Sequence, residues 1–448
     1  MTVGVPGTAP WWPDDELQIV VRAVDAGATF VTFRPLVPGR TLVTHRVDQG
    51  VLDAALGELA AALPDPLPGE TDGPRHIRRA MSGALIDLDR ERALSGRLGG
   101  LLIPPAVWDL LSTGHEGPPV RLRVTPSARL ATVPWELLLS PDGQRLADLA
   151  ILSFELPPTI HFRRPRAPMP YAVNPAAGPL RTIDPFVPGA QAFSRALSAA
   201  GRRLIEGRLG VSCGGLVDRA DLSRGLREHP PRWVYFGHVS IPERGLPGAA
   251  GLHLSDGLDS RGRSYAGTGA VIGHGGHRAL TVIDLLRGTQ PSPWHGDDRL
   301  AADPGQRGSE VWPMPARVAL IACNSGADHT ATEPLGLVAA AHMHGAEYVT
   351  ATRWSLPTDE AFSRLRSVDG LPTSNLVLAV DAAHEADDPV AALREWQRAA
   401  VARWDAAGEL RDSPLLWAAL TTHHAPARNP DGSDPSWPPF PADGQEEQ

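Results

Sequence analysis

A histidine and a cysteine each stand directly after a short apolar run in this chain. His238 follows Val-Tyr-Phe-Gly, and Cys323 follows Val-Ala-Leu-Ile-Ala. A cysteine attacks a carbonyl carbon as the thiolate, and a neighbouring imidazole supplies the base that forms the thiolate or the cation that stabilises it. The pair therefore predicts nucleophilic chemistry at Cys323 with His238 as its base.

The apolar runs before these residues predict strands of a parallel sheet. Three runs are β-rich: Trp233–Phe236, Arg317–Ala322 and Tyr348–Arg353. Strands that alternate with helices are typical of parallel sheets, whose ligands lie beyond the carboxyl ends of the strands. We expect His238 and Cys323 to face one crevice, with a helix N-terminus beyond Cys323 lowering the pKa of its thiol.

A carbonyl under attack by a thiolate also needs donors for the negative charge that develops on its oxygen. The backbone amides of Val239 and Cys323 are the candidates that the two loops supply. Asn324, Ser325 and Gly326 follow the cysteine and are expected to shape the turn.

Hydrophobic periodicity predicts the remaining elements. We expect a hairpin at 17–37 and strands at 120–124, 130–139, 149–154, 210–212 and 415–421. Helices are expected at 51–63, 77–98, 191–206, 219–227, 335–344 and 389–407. The segment 163–188 is rich in Pro, Ala and Gly, so the main boundary between the halves is expected near residue 170. Together these features predict an α/β protein of two packed subdomains.

Composition excludes several classes of function. The 448 residues carry a net charge of −9, which argues against a nucleic-acid partner. All 42 basic residues are arginine, so neither a P-loop nor a Schiff-base enzyme can be built. No apolar run approaches the ~20 residues of a membrane span, and only Cys213 and Cys323 are available for disulfides, so a cytoplasmic protein with reduced thiols is expected.

Several blocks of the sequence together resemble the CHAT family, whose members are related to caspases and separases. The blocks are Trp233–Val239, Gly251–Gly257, Ala279–Leu286, Ala319–Gly326, Glu333–Trp354 and Ser413–Leu420, with Arg129–Leu138 upstream. The resemblance covers roughly residues 77–425. It implies a C-terminal caspase-like parallel sheet flanked by helices, and an N-terminal α/β subdomain that is a degenerate copy of it.

The resemblance also implies domains and activity. The expected division is an extension at 1–76, an N-terminal CHAT subdomain at 77–170, a catalytic subdomain at 171–425 and a tail at 426–448. The implied activity is that of a bacterial cysteine endopeptidase acting on a protein target in a defence or regulated-proteolysis system. His238 and Cys323 match the family's catalytic pair, and no cofactor or metal is implied. A separately encoded sensor or effector is the implied partner, because no sensor module is visible in the chain.

Substrate-binding residues are carried over from the same blocks. Trp354 and Asp359 match the segment that borders the family's cleft, and Asn324, Arg353 and Ser355 are assigned with them. Ile321 stands where metacaspases carry the acid that selects a basic residue before the scissile bond (the P1 residue). An apolar or neutral P1 residue is thus the default, although loops elsewhere are able to deliver a carboxylate.

Some alternatives stay open. The family's Gly-His-Gly is Gly-His-Val here, and a β-branched residue tolerates positive φ poorly, so an inactive pseudoprotease that binds a partner is the rival function. His274 is a rival for the histidine, but the apolar run before it is short. A metal site is not favoured, since no ligand set accompanies the other histidines. The loop 288–315 is either a gate or a surface insertion.

Overall fold

The computed structural model describes residues 17–36, 41–70, 73–112, 119–157, 171, 177–187, 195–240, 248–256, 279–288, 307–323, 325–326 and 336–425. The strands are β1 Gln18–Asp25, β2 Thr29–Pro35, β3 Val43–Val47, β4 Val120–Thr125, β5 Ala150–Phe154, β6 Leu180–Ile183, β7 Arg232–Gly237, β8 Val239–Ser240, β9 Gly251–Leu252, β10 Leu280–Thr281, β11 Arg317–Ala322, β12 Tyr348–Thr352 and β13 Leu420–His424. The α-helices are α1 Gln49–Ala62, α2 Gly73–Ala80, α3 Leu88–Leu102, α4 Pro105–Ser112, α5 Leu146–Leu149, α6 Ala199–Leu209, α7 Arg219–Arg227, α8 Val282–Arg287, α9 Gly308–Val311, α10 Leu337–Met343, α11 Asp359–Arg366, α12 Pro372–Ala383, α13 Pro389–Ala407 and α14 Pro414–Trp417.

One large sheet organises the described chain. Its ten strands run in the order β3-β2-β1-β4-β5-β13-β12-β11-β7-β6. Six of the nine strand pairs are parallel, and β13 joins β12 antiparallel between the two parallel halves. The prediction of an α/β fold with a largely parallel sheet flanked by helices is confirmed.

Helices cover both faces of the sheet, and the strand sequences show why. Val234 and Phe236 of β7 pack in the larger core cluster, whereas Trp233 and Tyr235 pack in the second cluster on the other face. All four side chains are nearly inaccessible to solvent. A parallel strand buried on both faces reads as a continuous apolar run, which is why the two strands before the candidate residues were identifiable from sequence.

Several predicted elements are confirmed with small shifts. The hairpin forms as β1 and β2, and its turn contains Gly27 at φ 71°, a conformation that glycine adopts without steric cost. The helix at 219–227 has the predicted bounds and starts at a capping box on Asp218. The helix at 389–407 also has its predicted bounds, with Asp388 as the N-cap.

The single helix predicted at 77–98 is wrong, because the chain breaks it in two. Helix α2 ends at Ala80, and α3 begins only after Asp87, whose carboxylate caps its first turn. Gly83 lies in the break, where a Cβ atom would come within 2.9 Å of the Cα of Ala62. The break thus packs closely against the end of α1, a contact that periodicity alone does not reveal.

Three predicted strands are also corrected. Residues 130–139 contain a short 3-10 helix, Trp135–Leu137, in place of an extended strand. Gly210 closes α6 in the left-handed conformation, with φ 64°, so no strand follows at 210–212. The run at 415–421 begins as α14, where Pro414 fits the first helical turn, and becomes β13 only from Leu420.

A buried ionic cluster joins α3 to α13. Arg145 donates to both carboxylate oxygens of Glu91, at 2.9 and 2.8 Å, and to Asp405 at 2.8 and 2.6 Å. Arg145 and Glu91 are almost wholly buried, and Trp404 donates its indole N–H to Glu91 at 3.0 Å. The cluster links residues on both sides of position 170, so the proposed subdomains share one interior. Their boundaries at 76, 170 and 425 stay predictions.

No helix in the described ranges is both long and apolar enough to cross a membrane. The tail from 426 onward, His274 and residues 289–306 of the long loop lie outside the described residues.

Replacing Arg145 with Met should lower the free energy of unfolding by about 3–5 kcal/mol, because it leaves the Glu91 carboxylate buried without its cation. Urea unfolding followed by tryptophan fluorescence measures the loss. Arg92→Met is the matched control, since Arg92 contacts the same Asp405 but is 40% exposed, and it should cost less than about 1 kcal/mol. Equal losses in the two variants would contradict this account.

Candidate active site

The register of β7 and β11 brings the two predicted catalytic residues to one edge of the sheet. These strands are adjacent and parallel, and Gly237 pairs with Ala322 at their carboxyl ends. His238 and Cys323 are the residues that follow this pair, and both are half-buried. The two residues thus follow neighbouring strands at the same level of the sheet.

The loop that carries His238 is fixed by contacts to its backbone. The carbonyl oxygen of His238 lies 2.8 Å from the Tyr235 hydroxyl and accepts the backbone N–H of His253 at 3.0 Å. Gly237 is required because a Cβ atom there would come within 2.8 Å of the same tyrosine hydroxyl. The position of His238 is therefore set by its contacts with Tyr235 and with His253, the residue after β9.

The turn after Cys323 is bound to the end of β12. Ser325 donates its hydroxyl to the carbonyl of Leu320 at 2.5 Å, and the backbone N–H of Thr352 donates to that hydroxyl oxygen at 3.0 Å. Gly326 donates its N–H to the carbonyl of Thr352 at 2.9 Å. These bonds satisfy the backbone of a buried turn and hold the cysteine at the strand end.

The segment that follows β12 contacts the cysteine thiol. The backbone N–H of Leu356 and the hydroxyl of Ser355 both donate towards the sulfur of Cys323, and both lower the pKa of its thiol. Burial is the larger effect and raises that pKa above its ordinary value, with the charge of Asp65 adding to the rise. The prediction of a lowered thiol pKa is wrong, because loss of solvent outweighs the donors.

Asp184 provides a carboxylate on the other side of His238. It follows β6, the strand next to β7, and its N–H donates to the carbonyl of Phe236 at 2.6 Å. Its backbone has φ 48°, an uncommon conformation for a residue other than glycine. Burial raises the pKa of Asp184, and the nearby charges of Arg195 and His238 lower it in part. Asp184 and His238 are therefore close enough for their charges to interact.

Three residues predicted to bind substrate lie in the interior instead. Arg353 is 2% exposed and forms an ion pair with Glu136 at 2.9 Å, so its charge is balanced within the fold. Trp354 is fully buried and donates its indole N–H to the carbonyl of Leu415. Asp359 accepts the N–H of Thr373 at 2.7 Å, at the start of α12. Burial favours a supporting role for these side chains over contact with a substrate.

The remaining predicted residues have mixed outcomes. Ser355 lies against the thiol, as described above, whereas Asn324 is outside the described residues. Val239 opens β8 and pairs with Leu252, so it does not need the positive φ that a β-branched residue resists. Its role as an oxyanion donor stays a prediction.

The second cysteine is chemically distinct from the first. Cys213 is a free thiol whose pKa burial raises to about 12, with the charges of Glu206 and Asp184 adding to the rise. It is thus protonated at neutral pH. Within the described ranges, no three His, Cys, Asp or Glu side chains are grouped closely enough to hold a metal ion.

Two acidic residues of the site were missed at the sequence level. Asp184 stands next to a strand that is only four residues long, and Asp65 lies 258 positions before Cys323, so neither belongs to a motif. One sequence signal did exist for Asp65, since it lies between two prolines, which restrict the backbone to extended conformations.

Replacing Ser355 with Ala should raise the pKa of the Cys323 thiol further, because the thiolate loses a hydroxyl donor. We expect alkylation by iodoacetamide at pH 7 to slow about tenfold, with the same limiting rate at high pH where the thiol is ionised in both proteins. Rates in a Cys213→Ser background, measured by mass spectrometry between pH 6 and 11, test this. Ser363→Ala, an exposed serine on α11, is the control and should match the parent. An unchanged profile in Ser355→Ala would remove this serine from the site.

No protein-family model matches the sequence, and no curated protein matches it. In fold, the chain is similar to two crystal structures of the Saccharomyces cerevisiae separase–securin complex, at 3.0 and 2.6 Å. Sequence identity is 9% and 10%, and the TM-scores are 0.43 and 0.45. Each match covers 91% of this chain but only 30% of the matched chain, so the chain spans under a third of those proteins. At such distance these likenesses decide nothing about the site.

Proposed function

We propose that the protein is a caspase-like cysteine endopeptidase of the kind the CHAT resemblance implies, with Cys323 as nucleophile and His238 as base. The observation that carries this proposal is the pairing of Gly237 with Ala322 on adjacent parallel strands, since it makes the two residues neighbours at one sheet edge. The donors at Ser355 and Leu356 support it, because they are directed at the sulfur that would carry the negative charge.

The reaction would proceed in two halves. The Cys323 sulfur attacks the scissile carbonyl carbon and forms a C–S bond, while His238 takes the thiol proton. The oxygen becomes an oxyanion that accepts hydrogen bonds from the amides of Val239 and Cys323. The C–N bond then breaks, and His238 gives its proton to the leaving amine.

Hydrolysis of the thioester completes the cycle. His238 removes a proton from a water molecule, which attacks the same carbon, and the C–S bond breaks to release a carboxylic acid. The thiolate regains its proton from His238. Asp184 would stabilise the imidazolium in both halves through its charge, without itself exchanging protons.

The substrate would be a protein, and a separately encoded partner would supply the trigger. Both statements rest on the resemblance, as does a role in a bacterial defence or regulated-proteolysis system. A trigger fits the raised pKa of the Cys323 thiol, because a thiol that is protonated at rest has to be activated before it attacks.

The same pKa also favours the second candidate, a binding module that has kept the cleft without catalysis. In such a pseudoprotease the buried thiol would be a packing group, which is the common fate of a free cysteine. The two candidates differ in whether His238 controls the reactivity of Cys323.

We expect a library of peptidyl acyloxymethyl ketones to label Cys323 alone in the wild-type protein. His238→Ala should lower the labelling rate by at least about 100-fold, since general acid–base catalysis contributes about 10²–10⁴. The adduct is located by peptide mass spectrometry of the full chain, with and without lysate from the source cells to supply a partner.

The controls separate the two candidates. Cys323→Ala should give no adduct, and Cys213→Ser should label as the wild type does, because the Cys213 thiol has a pKa of about 12. Labelling of Cys323 at equal rates with and without His238 would support the binding module in place of the peptidase.

A further inference from the structure

We propose that Asp65 forms the acidic wall of the subsite for the P1 residue, and that this subsite takes a guanidinium or ammonium side chain. The inference deepens the proposed function, since P1 is defined by the bond that Cys323 would cleave. It names a specificity residue from the N-terminal segment, far from the motifs that suggested the site.

Asp65 is hydrogen-bonded to Ser355, a residue that borders the nucleophile. Its Oδ1 atom accepts the backbone N–H of Ser355 at 2.9 Å, and Ser355 in turn faces the sulfur of Cys323. The carbonyl carbon that a nucleophile attacks belongs to the P1 residue, so the P1 side chain must lie beside the sulfur. A carboxylate at this place is within reach of a long P1 side chain.

The segment that carries Asp65 is held rigidly. Pro64 and Pro66 flank it, so its backbone has little freedom to lose on binding. Arg79 donates to the carbonyl oxygens of Ala60, Ala61, Leu63 and Asp65 at 2.6–3.1 Å. A single guanidinium thus fixes the connection between α1 and α2.

Glu70 locks the other side of the same guanidinium. Its carboxylate accepts from Arg79 at 3.1 and 3.0 Å and from the N–H of Leu67 at 2.9 Å. The hydrogen bond from Arg79 is the main cause that lowers the pKa of Glu70 to about 2. Arg79 and Glu70 together fix the backbone of Asp65 and leave the Asp65 side chain out of these contacts. Such an arrangement is suited to orienting a binding residue.

The carboxylate of Asp65 has neutral hydrogen-bond donors around it. Arg79 donates to the backbone oxygen of Asp65 and to Glu70, whereas the Asp65 carboxylate accepts from the N–H and the hydroxyl of Ser355, which are neutral donors. Burial raises the pKa of Asp65, and the bonds from Ser355 and the charges of His76 and Arg79 lower it only in part. A half-buried carboxylate with spare lone pairs gains most from a cationic donor.

The position of Asp65 near Cys323 reverses the expectation of a neutral P1 residue. Ile321 offers no acid beside the nucleophile, and the charge of Arg353 is neutralised by Glu136. The charge next to the sulfur is therefore negative, and it comes from Asp65. Electrostatic complementarity then selects arginine or lysine and rejects acidic side chains.

The test is a binding measurement in a Cys323→Ala background, where no reaction occurs. Fluorescent tetrapeptide pools, randomised except for P1, carry arginine or its neutral isostere citrulline at that position. The arginine pool should bind at least about tenfold more tightly by fluorescence anisotropy. Adding Asp65→Asn should remove the preference while an oxygen remains to accept from Ser355, and Asp65→Ser should do the same.

Glu58→Gln is the matched control, because it removes one carboxylate from α1 that pairs with Arg97 on the surface, and it should keep the preference. Equal binding of the two pools, no binding of the arginine pool, or a preference that survives Asp65→Asn would overturn the assignment. The result is independent of the peptidase proposal, which fails instead if His238 has no effect on labelling of Cys323.

Discussion

The candidate site depends on the parallel alignment of four neighbouring strands, β12, β11, β7 and β6. Parallel strands end at the same edge of a sheet, so the residues after them become neighbours whatever their separation in sequence. Here these are Ser355, Cys323, His238 and Asp184, in spatial order across the sheet. A shift of one residue in the pairing of β7 and β11 would move either side chain to the opposite face and separate the pair.

Burial and hydrogen bonding act in opposite directions on the nucleophile. Removal of solvent disfavours the thiolate, while the donors at Leu356 and Ser355 favour it, and burial has the larger effect. The thiol is consequently neutral at rest, although its surroundings are arranged to receive a charge. A change in the exposure or the local charge of the thiol would therefore change its protonation state.

The N-terminal half of the chain takes part in the site through charged groups. Glu136 forms an ion pair with Arg353, and Asp65 accepts a hydrogen bond from the N–H of Ser355. Arg79 holds the segment of Asp65, and Arg145 joins Glu91 to Asp405, each through several hydrogen bonds that lysine cannot reproduce, since a guanidinium carries five donors in a fixed plane. A sequence without lysine thus folds into a structure in which arginine side chains join separate segments through several hydrogen bonds each.

The sequence by itself determined the strands before His238 and Cys323, because fully buried strands are continuous apolar runs that end where a polar residue appears. It also determined helices with clear caps, such as α7 and α13. Only the tertiary structure shows the break between α2 and α3, where Gly83 packs against Ala62 from another helix. Only the tertiary structure decided that Arg353 is neutralised and that Asp65 reaches Ser355, since both contacts join residues more than 200 positions apart. The pKa of the Cys323 thiol is likewise decided by the tertiary structure, because burial depends on the packing of the whole chain and not on a local motif.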